Sequence, residues 1–311
     1  MELKPIVRIQ VTVNARAERA WAALTENAAL QTWYAEFADI DIEAGRYDFW
    51  GQFTAGAPAR ERGRHALLEC EPGRCLAFIW RRGQHDTVVR IELHPRGERC
   101  IVALEHSAGS ERKEDDIAPY TYADEWFIAL ENLRRWLDGR AADIRIPWYP
   151  DLRGNIAVDC LVDAPAGRVW AVLCEESELE RWMATAARIE PRVGGDYDLG
   201  WPGMQPMRIR ELEPERLLVY GMSDEGGPEN SARWTLQPEA GGTRLALLNS
   251  GYAPDDDTSG LHVGWRNFLG WARSAAEYGA DWQPPLLQLS PDAIAFPRLM
   301  LDLQNELVWQ D

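Results

Sequence analysis

The residues with the most chemistry to offer in this chain are its fifteen tryptophans. An indole presents a broad apolar face and a single N–H, so it stacks on flat apolar molecules or fills a core where that N–H finds an acceptor. So many of them imply that the chain lines something wide. The five histidines, His65, His85, His94, His106 and His262, are the candidate acids, bases or metal ligands. None stands at the H-x-x-x-H interval that sets two ligands on one helical face, and zinc needs three or four clustered donors. His65, flanked by Arg62 and Arg64 on a strand-like segment, is the candidate general base. Arg208, Arg210 and Glu211 are candidates for holding a carboxylate or polarising a carbonyl. Strict alternation puts the two arginines on one face, expected to be the solvated one, and Ile209 with Glu211 on the other.

Nucleophilic catalysis has no carrier. The chain has no G-x-S-x-G and no phosphate-cradling glycine loop. Its five cysteines, Cys70, Cys75, Cys100, Cys160 and Cys174, are odd in number and form no C-x-x-C pair, so free thiols acting as small apolar residues are expected. The acidic runs Glu114-Asp115-Asp116 and Asp255-Asp256-Asp257 lack the glycine and spaced oxygens of a calcium loop. As solvated loops they favour the N-terminus of the helix that follows each. No metal and no cofactor is expected. A net charge of −17 excludes a nucleic-acid partner and an anionic membrane surface. No apolar run approaches about 18 residues, and Met1-Glu2-Leu3-Lys4-Pro5 is not an apolar leader, so a cytoplasmic location is expected. Nothing in the residues points to a protein partner.

The elements that must position these side chains are announced by an internal echo. Val7, Ile9, Val11, Val13, Trp21 and Trp33 recur as Ile156, Val158, Cys160, Val162, Trp170 and Trp182, at an interval of 149 residues (156 less 7, and again 182 less 33). An interval of that size is a whole domain. Each copy opens with a half-buried alternating strand and a short helix. Asn14 and Asp163 are the expected caps, with Pro165 in the first turn. A second short helix ends near Trp33 or Trp182. Dense turn signals then separate short strands in a meander. Each copy closes on a long helix, with Trp126, Leu130, Leu133 and Leu137 as the apolar stripe of the first and Trp265, Phe268, Leu269 and Ala272 as that of the second. Gly139 and Gly279 end these helices. The expected division is residues 1–145, 146–282 and a tail, 283–311, packed on the domains. The connector Ile146-Pro147-Trp148-Tyr149-Pro150 is too stiff and aromatic for a free linker, and the two domains are expected to pack together. A helical pattern, Leu299, Leu303 and Leu307, marks the tail.

Both copies resemble the SRPBCC (START-like, helix-grip) superfamily, in the branch similar to the activator of the heat-shock-90 ATPase. In the second copy the resemblance is carried by Val193-Gly194-Gly195-Asp196-Tyr197, by Ile209 to Leu217, by Leu236-Gln237-Pro238, by Gly242-Thr243-Arg244-Leu245, by Ser250-Gly251-Tyr252 and by Gly264-Trp265. The first copy departs from it with Ala44 before Gly45, an insertion at Gly56-Ala57-Pro58-Ala59 and no glycine before Trp126. The resemblance implies an α+β fold of two tandem helix-grip domains, each a curved antiparallel sheet wrapped around a long C-terminal helix, with two short helices. It also implies an apolar cavity between sheet and long helix. Trp33, Trp50, Phe53, Trp80, Trp126 and Leu130 in the first copy, and Trp182, Trp201, Tyr220, Trp234, Trp265, Phe268 and Leu269 in the second, sit where such a fold surrounds that cavity. Each can line a pocket or fill a core. With no catalytic constellation, the leading expectation is non-catalytic binding of a hydrophobic or aromatic small molecule. The alternatives are an aromatase, cyclase or dehydratase with His65 or a buried carboxylate as base, and a chaperone-associated interaction module.

Overall fold

Alternating apolar residues dictate how each half begins. In the computed structural model, which describes residues 3–55, 62, 65–82, 85–109, 119–148, 152–221 and 230–289, strand β1 (Leu3–Val13) buries Val7, Ile9, Val11 and Val13. Helices α1 (Ala17–Thr25) and α2 (Asn27–Trp33) follow, then the hairpin of β2 (Phe37–Asp41) and β3 (Arg46–Trp50). A meander of β4 (Ala66–Glu71), β5 (Cys75–Arg82), β6 (His85–Arg96) and β7 (Arg99–Gly109) leads to the long helix α3 (Pro119–Leu137). Its stripe of Trp126, Leu130, Leu133 and Leu137 is at most 3% exposed, which is what holds the helix against the sheet. Just beyond it Gly139 takes a φ of 71°, the left-handed stop that glycine adopts without strain.

The second half repeats this order with β8 (Ile156–Val162), α4 (Ala166–Cys174), α5 (Glu176–Leu179), β9 (Arg188–Ile189), β10 (Asp196–Asp198), β11 (Met207–Glu213), β12 (Leu217–Gly221), β13 (Ser231–Glu239), β14 (Gly242–Ser250) and α6 (Ser259–Tyr278). A last strand, β15 (Leu286–Leu289), follows. Two compact units result, residues 152–284 and residues 1–151 together with β15. Each is a helix-grip domain, an antiparallel sheet closed by one long helix. Among the described residues no helix is long and apolar enough to cross a membrane.

The sheets differ where the sequences differ. Strands β9 and β10 continue the second sheet, in the order β8-β14-β13-β12-β11-β10-β9, whereas β2 and β3 form a separate hairpin beside the first, β15-β1-β7-β6-β5-β4. The inserted residues 56–59 lie in the chain between β3 and β4, where that break occurs, and are outside the described residues. β15 pairs antiparallel with β1, Leu287 opposite Ile9 and Leu289 opposite Val7, so the tail adds an edge strand to the first sheet. The pattern Leu299, Leu303 and Leu307 lies outside the described residues.

Three local expectations are corrected. Arg16 and Pro165, not Asn14 and Asp163, flank the first helices, both with extended backbone and no side-chain cap bond. Both helices start at the same repeat position, Ala17 and Ala166, so the fold rather than a capping side chain sets the boundary. In β11 the register shifts between Ile209 and Glu211. This bulge turns Glu211 outward, where it pairs with Arg233, while Ile209 stays buried and Arg208 pairs with Asp196 on the exposed face.

Candidate functional site

The first domain builds its cleft between the end of α2, the turn after β3, the face of α3 and the segment that leaves α3. Lining it are Trp33, Tyr34, Phe53, Ala55, Trp80, Ile128, Ala129, Ile146 and Trp148, with Glu125, Asn132 and Arg145 as polar members. The exit segment is stitched down by its own hydrogen bonds. Asn132 Nδ2 donates to the Ile144 carbonyl at 2.8 Å, and the Trp148 amide donates to the Gln52 carbonyl at 2.7 Å. Arg145 donates to the carbonyls of Gln31 (3.2 Å) and Thr32, the last turn of α2, whose carbonyls have no partner within the helix. Its guanidinium lies 5.0 Å from the Phe53 ring centroid, and burial pulls its pKa down against the opposing pull of Asp143. The cleft encloses about 30 Å³, room for one or two water molecules.

Behind this lining lies an aromatic wall with its polar groups paired in sequence. Trp126 Nε1–H donates to His106 Nδ1 at 2.9 Å, His106 Nε2 meets Thr87 Oγ1 at 2.8 Å, and that hydroxyl donates to the Trp80 carbonyl at 3.1 Å. An indole N–H can only donate, so His106 Nδ1 accepts and its proton sits on Nε2. The imidazole stacks on Trp80 at 5.5 Å and 18° and is wholly buried. His106 is thus a strut of the core.

His65 differs. It is 6% exposed, its ring 4.2 Å from Phe49 and 6.2 Å from Trp80, centroid to centroid. Its amide donates to Asp48 Oδ1 at 3.1 Å, and its Nδ1 accepts the Arg81 amide at 3.2 Å. The proton is therefore on Nε2, which is buried and has no hydrogen-bond partner. Burial, helped by the Arg81 charge, pushes its pKa down to about 3. A ring with its one lone pair engaged and its N–H unmet is a donor, which removes the basis for reading His65 as a general base. An unmet buried donor costs about 1–3 kcal/mol.

Of the residues singled out by sequence in the first copy, Trp33, Phe53 and Trp80 line the cleft. Trp126 packs one layer behind, stacked at 6.0 Å on Tyr34, and Leu130 is core. Trp50 stacks on Phe37 at 5.7 Å under the Arg62 guanidinium and is not among the lining residues. Tyr34, Arg145, Ile146 and Trp148 were not singled out. For Ile146 and Trp148 the signal was the stiff aromatic connector, and the Trp148 amide's hydrogen bond to Gln52 shows it to be a wall.

In the second domain Trp182, Tyr220, Trp234 and Leu269 are core, each at most 2% exposed. Trp182 Nε1–H donates to the Val172 carbonyl at 3.0 Å, Trp234 Nε1–H to Tyr220 Oη at 3.2 Å, and Tyr220 stacks on Tyr197 at 4.1 Å. Trp201, Trp265 and Phe268 are half-buried. Phe268 lies within 5.7–6.4 Å of four indoles, those of Trp265, Trp201, Trp182 and Trp271. All five cysteines are free thiols, and burial raises the pKa of Cys75 and Cys100 to about 11 and of Cys174 to about 12, which keeps those three as protonated, unreactive thiols at neutral pH. Asp257 accepts the Ser259 amide at the start of α6, as its acidic run suggested, while Glu114-Asp115-Asp116 and the His85 side chain are outside the described residues.

Comparison with known proteins gives one family match in each domain. No curated protein matches the chain. Among solved structures it is similar to DynU16, a protein of the dynemicin biosynthetic locus, at 18% identity, covering 87% of this chain and 97% of that one with a TM-score of 0.34. The Aha1 dimer from Colwellia psychrerythraea is similar at 16% identity, over 40% of this chain and 98% of that one, with a TM-score of 0.37. An AHSA1-like protein from Rhizobium etli is similar at 27% identity, over 40% of this chain and 83% of that one, with a TM-score of 0.34. The family model of the Activator of Hsp90 ATPase homolog 1-like proteins matches twice, at residues 14–138 and 163–271, one match in each domain. The chain therefore belongs to the Activator of Hsp90 ATPase homolog 1-like family and carries its domain in tandem.

Proposed function

We propose that the first domain binds a flat apolar or aromatic small molecule in the cleft between α2, α3 and the connector, without transforming it. The observation that carries this reading is the lining, five aromatic rings (Trp33, Tyr34, Phe53, Trp80 and Trp148) converging on one opening. Pockets for small molecules have this character, mostly apolar with a few polar groups that fix orientation. The present volume admits one or two waters, so a guest enters by displacing rings at the mouth. Tyr34, Phe53 and Trp148 are half-buried, whereas Trp33 and Trp80 are at most 2% exposed. A panel of bicyclic and tricyclic apolar compounds should quench tryptophan emission and raise the melting temperature, and Phe53→Ala should weaken binding. A panel that moves neither signal would sink the reading. Catalysis has one observation in its favour, the buried carboxylate of Glu125 in the same lining. Turnover of a bound compound that disappears in Glu125→Gln would establish it.

A further inference from the structure

Among the described residues of the first domain, five buried side-chain nitrogen or oxygen atoms have no hydrogen-bond partner. Just one of them belongs to a residue of the cleft lining, and it is Arg145 Nε. A guanidinium carries five N–H groups and accepts nothing. In Arg145 the Nη1 group donates to the carbonyls of Gln31 (3.2 Å) and Ala35 (3.5 Å), and Nη2 donates to that of Thr32. Nε–H and one Nη2–H, neighbours on one edge of the fork, are left over. Arg145 makes no ion pair with a carboxylate of the described residues, and burial lowers its pKa although Asp143 attracts it from a distance. A desolvated cation without a counter-charge is costly, and so is a buried donor without an acceptor.

We infer that Arg145 receives a carboxylate of the bound molecule, and that the ligand class is a small aromatic acid. This rests on the cleft reading above and adds to it the chemistry of the guest's polar end. Guanidinium and carboxylate meet as planar forks, two N–H groups against two oxygens, in pairs shorter and stronger than neutral hydrogen bonds. The cation is held in place before any guest arrives. Its Nη atoms are tied to the end of α2, and the carbonyl of its chain neighbour Ile144 is tied to Asn132 Nδ2 at 2.8 Å. The guanidinium lies 5.0 Å from the Phe53 ring centroid, so one small molecule can stack in the aromatic lining and reach the fork. Glu125, the one acid of the lining, already has a partner in the chain and does not call for a cationic guest. A neutral guest would leave the Arg145 charge unanswered, and a phosphate dianion would bring one charge more than the fork supplies.

The test uses the full chain and three probes of similar shape, titrated by calorimetry: 2-naphthoate, neutral 2-acetylnaphthalene and cationic 2-naphthylmethylammonium. 2-Naphthoate should bind about tenfold more tightly than 2-acetylnaphthalene, because a hydrogen bond between charged groups contributes more than a neutral one. Arg145→Met keeps an unbranched side chain without the charge, and the two probes should then bind alike. In the unmodified protein the Arg145 Nε–H proton resonance should move downfield with 2-naphthoate and stay in place with 2-acetylnaphthalene. This readout decides the matter should Arg145→Met fail to fold. Equal affinities for the two probes, or a resonance that 2-naphthoate leaves unmoved, would overturn the role of Arg145 and leave the cleft reading standing. Tightest binding of the ammonium probe would do the same, by placing the guest's charge at Glu125. A preference for 2-naphthoate that survives in folded Arg145→Met would also overturn it. Binding of none of the three would overturn both readings.

Discussion

His65 makes the first domain sensitive to acid. Its folded pKa lies near 3 against 6.5 for a free imidazole, lowered by burial first and by Arg81 second. Between those values the unfolded chain carries a proton that the native chain does not, so stability rises with pH through the window and is lost as pH falls below 6.5. At pH 5 the loss relative to neutrality is about 2 kcal/mol. His262, whose Nδ1 meets an Arg266 N–H at 2.6 Å, has a folded pKa near 4 and contributes with the same sign in the second domain. Thermal melts at pH 7, 6 and 5 should fall steadily in the unmodified protein and less steeply in His65→Phe. Parallel slopes for the two would contradict this account. His65 was visible in the sequence as a candidate, but its tautomer, and hence its change from base to donor, depends on an amide sixteen residues away.

At the scale of elements, the two copies share hydrogen bonds as well as a fold. Trp33 Nε1–H donates to Ala23 and Trp182 to Val172, each to a carbonyl ten residues back. Tyr47 Oη–H donates to Leu24 and Tyr197 to Leu173, fixing β3 and β10 to the first short helix of their domains. Tyr47→Phe and Tyr197→Phe should therefore each cost about 1 kcal/mol in urea unfolding. A neutral result at one position and not the other would show that the parallel is not energetic. The joint between β8 and β14 is narrower still. Gly242 has φ 150°, and a Cβ there would stand 2.0 Å from the Val162 carbonyl oxygen. Backbone in a paired strand cannot yield that space, so Gly242→Ala should lower stability by about 2–3 kcal/mol, measurable as an earlier unfolding transition. Wild-type stability in that variant would mean that the strands separate without cost.

At the scale of the whole molecule, the chain's last described strand belongs to its first domain. β1 is covered by β15, whereas the matching strand β8 has no strand on that side among the described residues. Deleting residues 285–311 leaves the backbone of Val7 to Gln10 without its outer partner and exposes a sheet edge. Hydrogen exchange should show protection lost at residues 7–10 and retained at the β1–β7 ladder beyond them. Full protection at 7–10 after deletion would mean that the tail strand contributes nothing to the edge.

The sequence by itself determined the duplication, the α+β order of elements, the stripes of α3 and α6 and most of the buried aromatic rings, because each is written in local spacing of 2, 3.6 or 149 residues. Only the tertiary structure decided which rings line an opening and which are core. Trp80 and Trp126 look alike along the chain, yet one walls the cleft and the other packs behind Tyr34. It also decided that residues 144–148 are a wall, that β15 returns to β1, and that His65 is left with an unmet donor. These are pairings between segments far apart in the chain, and spacing along a sequence carries no record of them.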